Sequence, residues 1–484
     1  MTQQLKYKLQ PLLPLSWLWL LLVSLGGCKK YLEVPLPVSS IAGASVFQTD
    51  NTAAAALNSI YARFYSSGFF DGNNSVAFYT GLYTDEMKNQ SVLPDNMAIY
   101  GDGVSSASAG TTGFWSSFYN QLYSVNLAVE GLSTSNLKYR NQWLGEAYFL
   151  RGLLYYNLTS LYGNVPLVLS SDYLANNQLA RSAQADVYKQ IIADLKQAQS
   201  LLDNAYHNVS GSVTTDRGRP NRYTATALLS RVYLYTQDWK NAESQADSLI
   251  NDVTDYRLTS LSNVFLVNNA EVIWGVVPYN GGTYPFIVKD ALSFYLPAGK
   301  TPSSQGVAGT LNDSLVKTFE PGDARYTNWV GIDTVPASGT TPMVIYYYPN
   351  KYKVRSAAAA QEVVALFRLA EQYLIRAEAR TQQNNIPGAL SDLNMVRTRA
   401  SLPASAAATQ ASVLTTILHE RRVELFTEIG HRFFDLRRTG NLDATMAIAA
   451  PLKGGSWSSY KAWWPIPLLD IQNNLHLTQT PGYQ

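Results

Sequence analysis

ALLSRVYLYTQDWKNAESQADSLI, running from Ala227 to Ile250, and YLIRAEARTQQNNIPGALSDLNMVR, from Tyr373 to Arg397, follow one grammar. Each is a helical run, a short polar turn, a hydrophobe and then an alanine three residues later: Trp239 and Ala242 in the first, Ile386 and Ala389 in the second. Small residues in the second run let paired helices pack closely, as in a tetratricopeptide unit. The copies lie far apart and the rest of the period is degenerate. The expectation is therefore mostly α: a tetratricopeptide-like helix-pair scaffold rather than a regular solenoid.

Working outward, helical spacing recurs in Gln142–Leu161, where Trp143, Ala147, Leu150, Leu154, Leu158 and Leu161 form a stripe that ends at a Gly163…Pro166 stop. Ala185–Leu202, Arg222–Tyr235, Leu366–Gln383, Pro387–Arg399 and Ser412–Ile429 read as further helices. Between about 252 and 360 the period vanishes and Gly, Pro, Ser and Asn punctuate the chain. EVIWGVV (Glu271–Val277) and VIYYY (Val344–Tyr348) are β-like runs there. A loop-rich segment of that length is uncommon unless it carries function, so it reads as a partly β capping region. Met87–Gly113 is a second helix-poor stretch. The expected organisation is a helical scaffold over about 46–251 and 361–440 within one domain, 46–484, closed by an irregular tail, 441–484.

The first residues carry a different message. Lys6 and Lys8 precede the apolar run Pro11–Leu25, which two prolines interrupt and which is shorter than the roughly 20 residues of a spanning helix. It reads as a secretory signal over 1–27. Leu25-Gly26-Gly27-Cys28 resembles a lipobox, and Cys28 is the sole cysteine, so lipidation at Cys28 is expected, followed by an extended tether over 28–45. The mature chain would have 484 less 27, or 457, residues. Without Lys6 and Lys8 it carries 35 basic and 35 acidic residues. That balance disfavours nucleic acid and suits neutral ligands. Tyr (32) outnumbers Phe (16), and there are 10 Trp.

No cofactor or metal signature emerges. Glu428-x-x-His431 is a single copy of a pair that carboxylate-bundle metal sites use twice. Asp85-Glu86 are adjacent and point apart, whereas glycoside hydrolysis needs two carboxylates across a bond. Within HERRVELFTEIGHRFFDLRR (His419–Arg438), Glu420, Glu424 and Glu428 fall at i, i+4 and i+8, which is repulsive unless cations meet them. Arg376, Arg397 and Arg399 on neighbouring helices would build that ion-pair network.

Several motifs in fixed order resemble the SusD/RagB family of starch-utilisation-type outer-membrane lipoproteins. They are KKYLEVPLP after Cys28, TDEM (Thr84–Met87), FWSSFYNQLYSVNLAVE (Phe114–Glu130), GEAYFLRGLLYYNLTSLYGNVPLV (Gly145–Val168), RYTATALLSRVYLYTQDW (Arg222–Trp239), ERRVELFTEIGHRFFDLRRTG (Glu420–Gly440), WWPIPLLDI and QTPGY. Gly152 stands where the family usually has alanine. The resemblance implies four tetratricopeptide-like helix pairs and a non-catalytic protein of the outer membrane, facing the cell surface. It would capture a glycan and deliver it to a SusC-like TonB-dependent transporter, its membrane contact being the lipid on Cys28. Peptide capture by the same lid, an all-α glycoside hydrolase and a pure interaction scaffold are the alternatives.

A sugar ring offers apolar C–H faces and hydroxyl edges, so a site needs aromatic rings and polar groups. The irregular segments supply Tyr100, Tyr279, Tyr284, Phe286, Tyr295 and Trp329, with Asn96, Asp102 and Asn280 for hydroxyls. Of these, Tyr100, Tyr284 and Trp329 are the leading candidates. Trp115, Trp143, Trp239 and Trp464 fall in scaffold motifs and read as core.

Overall fold

Local chemistry starts and stops each scaffold helix. The Thr49 side chain accepts the Thr52 N–H to open α1 (Asp50–Ser67), and Gly68, at φ 70°, closes it in the left-handed conformation. This computed structural model describes residues 46–281, 283–340 and 342–483. The signal stretch, Cys28 and the tether lie outside the described residues. Among the described residues, no helix is long and apolar enough to cross a membrane.

After α2 (Val76–Tyr83) and the short α3 (Pro94–Tyr100), eight helices stack in sequence: α4 (Ala109–Ser133), α5 (Arg140–Tyr162), α6 (Gln184–Leu201), α7 (Arg222–Tyr235), α8 (Trp239–Ile250), α9 (Leu369–Gln382), α10 (Ile386–Arg399) and α11 (Gln410–Glu424). Each packs on its neighbour in that order, and α12 (His431–Arg438) and α13 (Leu442–Leu452) follow. α5 is buried nearly all round, so the stripe read from the sequence is only one of its contact faces. A Cβ on Gly152 would come 3.1 Å from the Leu195 side chain of α6. The glycine there permits close approach, which offsets its ~1 kcal/mol of lost helix propensity.

The two matching sequence units are spatial neighbours. Their turns are built alike: Gln237 and Asn384 take positive φ, 59° and 63°, and the next residue, Asp238 or Asn385, caps the second helix. α8 of the first unit packs on α9 of the second. Arg376 Nη1 donates to Asp247 Oδ1 (2.6 Å), and Arg380 Nε donates to Glu243 Oε1 (2.8 Å) across that seam. Trp115, Trp143 and Trp464 are buried, and Trp239 is half-buried at the start of α8.

The region between α8 and α9 contributes short antiparallel pairs. β1 (Met87–Asn89) pairs with β5 (Gly309–Leu311), β4 (Val272–Val276) with β8 (Val364–Arg368), and β6 (Val330–Val335) with β7 (Val344–Pro349). β2 (Tyr206–His207) and β3 (Val213–Thr214) form a separate hairpin. Three expectations need correction. Met87–Gly113 is not helix-poor: Pro94 sits at the start of α3, where its missing N–H costs nothing. The tail holds α13, and Trp464 N–H donates to Leu161 O (2.9 Å), closing the tail over the end of α5. α11 stops at Glu424 rather than running to Ile429. Thr427, Ile429 and Gly430 have positive φ, which frees the Glu424 and Phe426 carbonyls to accept Lys351 Nζ (3.0 and 2.8 Å).

Glu424 lies at the centre of a buried ion cluster. Arg368 spends all five donors there: on Glu428 Oε2 (2.7 Å) and Oε1 (3.0 Å), Glu271 Oε1 (3.2 Å), Glu424 Oε1 (2.5 Å) and Glu424 O (2.8 Å). Arg325 and Arg399 also reach Glu424. Burial alone would raise the Glu424 pKa, but Arg399, Arg368 and Arg325 hold it well below the usual range. Removing one member of such a cluster leaves uncompensated charge. Arg368→Met is therefore expected to destabilise the protein by about 3–5 kcal/mol in urea unfolding.

Candidate functional site

The loop Val277–Lys289 leaves β4 and is clamped onto the carboxyl end of α1. Tyr65, in the last turn of α1, donates its hydroxyl to the carbonyls of Tyr284 and Ile287, the latter at 2.9 Å. The GFFDGNN stretch (Gly68–Asn74) supplies the second anchor. Asp71 Oδ2 accepts the Lys289 N–H (2.9 Å), and Gly72 N–H donates to Asp290 Oδ1 (2.5 Å). Lys289 Nζ reaches back to Tyr65 O. Within the loop, Gly281 and Phe286 N–H both donate to Tyr279 O (2.9 and 3.1 Å), with Phe286 at φ 61°. These bonds hold the loop, and two rings are left outward. Tyr279 is 39% exposed and Tyr284 41%. Tyr279 packs edge-on against Tyr65, with ring centres 5.2 Å apart.

A cavity lies on each side of that pair. One, of about 460 Å³, is bordered by Asn58, Tyr61, His207, Arg219, Trp274 and Tyr279. The other, of about 380 Å³, is bordered by Tyr65, Asn73, Asn74, Thr283, Tyr284 and Gln305. Both combine aromatic surface with amide and hydroxyl groups, the mixture that stacks on an apolar ring face and bonds its edge. The walls are held by buried partners. Arg219 pairs with Glu146 through two bonds (3.1 and 2.7 Å), and Tyr61 OH donates to Glu146 Oε2 (2.7 Å).

Of the candidates read from sequence, Tyr284 and Phe286 stand in this loop, with Tyr279 and the exposed Asn280. The others go elsewhere. Trp329 is 0% exposed; its Nε1–H donates to Leu261 O (3.0 Å), and Lys351 Nζ lies 5.0 Å from its ring centre, so it belongs to the core. The face of Tyr295 is taken by the Arg355 guanidinium at 3.6 Å. Asp102 is buried and binds Lys453 Nζ (3.0 Å), which also donates to Leu82 O and Tyr83 O. Asn96 is buried nearby, and the half-buried Tyr100 ring has Lys453 Nζ at 5.5 Å. That corner fastens α3 to the tail, so the structure takes Trp329, Asp102 and Asn96 out of the set that can meet a ligand. Sequence reasoning missed Tyr65, Asn73 and Asn74, which fall within the expected helical scaffold. The glycine–asparagine run after α1 was the available signal.

Two carboxyls lie beneath the loop. Burial lifts Asp71 to about 6, against the opposing pull of Lys289. Burial and the charge of Asp71 lift Asp290 to about 7. A carboxyl whose folded pKa exceeds its unfolded value stabilises the fold at low pH and loses that contribution as pH rises through the folded value. Asp290→Asn, which keeps the bond to Gly72, should therefore gain stability on the native protein between pH 4 and 7 and hold that gain above. Melting curves across that range check it. Tyr65→Phe removes the clamp, and hydrogen exchange at residues 279–289 should quicken while α5 stays protected.

Comparisons with known proteins follow the same architecture. Residues 170–483 match the model of the SusD family, and residues 41–234 match a family described as starch-binding, associating with outer membrane. The SusD-like protein P38 of Formosa agariphila is 24% identical, over 97% of this chain and 99% of that one. The crystal structure of a SusD superfamily protein from Bacteroides vulgatus superposes with a TM-score of 0.75 at 22% identity, over 90% of this chain and all of that one. A laminarin-binding SusD-like protein superposes at 0.73 with 23% identity, again over 90% of this chain and all of that one.

Proposed function

This chain belongs to the SusD family, and from that premise we propose that it is a cell-surface lipoprotein that binds a glycan and hands it to a SusC-like TonB-dependent transporter without altering it. The lipid on Cys28 would hold it to the outer membrane. The observation that carries the reading is the pair Tyr279 and Tyr284, two exposed rings on a loop anchored to α1, beside cavities lined with amides and hydroxyls. A loop ordered before binding loses little entropy on capture. The buried carboxyls beside it, Asp71 and Asp290, are bonded to backbone N–H groups and fasten the loop, which fits a holding rather than a hydrolytic site.

Native electrophoresis of the soluble chain from residue 29 through gels cast with starch, laminarin and other polysaccharides tests the reading. One glycan should retard the protein, and Tyr279→Ala with Tyr284→Ala should abolish the retardation, since stacking rings carry on the order of 1–3 kcal/mol each on burial. Reducing sugar released from that glycan by the pure protein would point to a hydrolase instead. Failure of every polysaccharide, with retention of peptides, would move the reading to peptide capture. For the anchor, Cys28→Ser should shift the protein from the membrane to the soluble fraction.

A further inference from the structure

A third cavity, of about 420 Å³, lies among α11, α12 and α13 and shares no lining residue with the two beside Tyr279 and Tyr284. One side is apolar, formed by Leu418, Leu425, Leu436 and Ile448, and Thr439, Asn441 and Thr445 add polar groups. Arg421, Arg422 and Arg432 line the rest, together with His419, Glu86 and Asp435.

The carboxylates that answer these arginines fall short. Arg432 donates from Nε to Asp85 Oδ1 and from Nη2 to Asp85 Oδ2, both at 2.8 Å. Arg422 Nη2 shares that same Oδ2 at 2.8 Å, so one carboxylate serves two cations. Asp435 likewise takes both Arg421 Nε and Arg438 Nε at 2.7 Å, but Glu378 takes the remaining Arg438 nitrogens. Nη1 and Nη2 of Arg421 are buried without a hydrogen-bond partner among the described residues. The last acid in the wall, Glu86, is lifted by burial to about 7. Burial depresses the Arg422 pKa, and Arg432 adds to the depression despite Asp85. The wall thus holds more positive charge than its carboxylates answer, beside an apolar surface. A buried charged donor left unpaired costs more than a neutral one. An incoming anion would remove that cost.

We propose that this cavity binds a small carboxylate-bearing molecule of about one sugar ring, an acidic monosaccharide of the hexuronate kind. The carboxylate meets the unpartnered Nη1 and Nη2 of Arg421 with Arg422 beside them, as planar guanidinium favours, and the ring lies against Leu436 and Ile448. The volume falls in the range of small-molecule sites, roughly 300–1,000 Å³. The balanced charge of the chain after residue 27 does not oppose this, because the imbalance is local. The site is independent of the glycan site proposed above.

Calorimetric titration of the mature protein with glucuronate, glucose and inorganic phosphate tests it. Glucuronate should bind, and glucose, its neutral counterpart, should bind at least tenfold more weakly. Arg422→Gln should weaken glucuronate at least tenfold. Ala444→Trp fills the cavity from an exposed position without touching an ion pair, so it decides the matter if Arg422→Gln fails to fold, and it should weaken glucuronate equally. Tyr284→Ala should leave glucuronate affinity unchanged. Equal affinity for glucose, binding of phosphate alone, no binding at all, or glucuronate binding that survives Ala444→Trp would each overturn the proposal.

Discussion

Arg368 joins the two halves of this molecule. It sits at the end of β8, where the chain passes from the capping region into α9, and its five donors meet Glu271 at the entry to β4 and Glu424 and Glu428 at the end of α11. Arg325 and Lys351 arrive from the capping region and Arg399 from α10 to the same carboxylates. Taking one such ion out of water costs several kcal/mol, and only close, fully bonded geometry offsets that. The cluster therefore tolerates a single arrangement of cap on scaffold. α11 must break at Glu424 so that its carbonyls can join, and β8 must interrupt the helix that the sequence pattern runs back to Leu366.

That fixed arrangement sets where the binding loop begins. Val277–Lys289 springs from β4, six residues after the Glu271 that Arg368 holds, and is fastened to the end of α1 by Tyr65 and to the Gly68–Asn74 stretch by Asp71 and Asp290. A rigid frame below and a clamp above leave Tyr279 and Tyr284 as outward rings on the anchored loop. The energetic division is clear. Most of the buried charge registers cap to scaffold, while the Tyr279–Tyr284 loop offers a ligand aromatic and amide groups, with Lys289 turned back onto Tyr65.

The scaffold was legible because it rests on local rules. The turns at Gln237 and Asn384 are built alike, with Asp238 and Asn385 as caps and Ala242 and Ala389 in the packed face. The spacing of Glu420, Glu424 and Glu428 called for cations, and Arg397 and Arg399 answered from α10. Arg376 did not; it serves Asp247 and Asp392. The partners that matter most, Arg368, Arg325 and Lys351, come from strands and loops whose neighbours no periodicity reveals. Candidate site residues failed for the same reason. Trp329 and Tyr284 look alike in a loop-rich segment, yet one buries its indole against Leu261, Lys351 and Arg368 and the other stands in solvent. Asp102 looked like a hydroxyl-binding group because nothing nearby in sequence discloses Lys453.

Hydrogen–deuterium exchange of the chain from residue 29, with and without the polysaccharide that retards it, tests the central claim most directly. A ligand held between the clamped loop and α1 should slow exchange over residues 58–74 and 277–306 and leave α3 and the β6–β7 pair unchanged. Protection confined to α3 and the β6–β7 pair, or spread evenly over the helical stack, would contradict the assignment of capture to the Tyr279–Tyr284 loop.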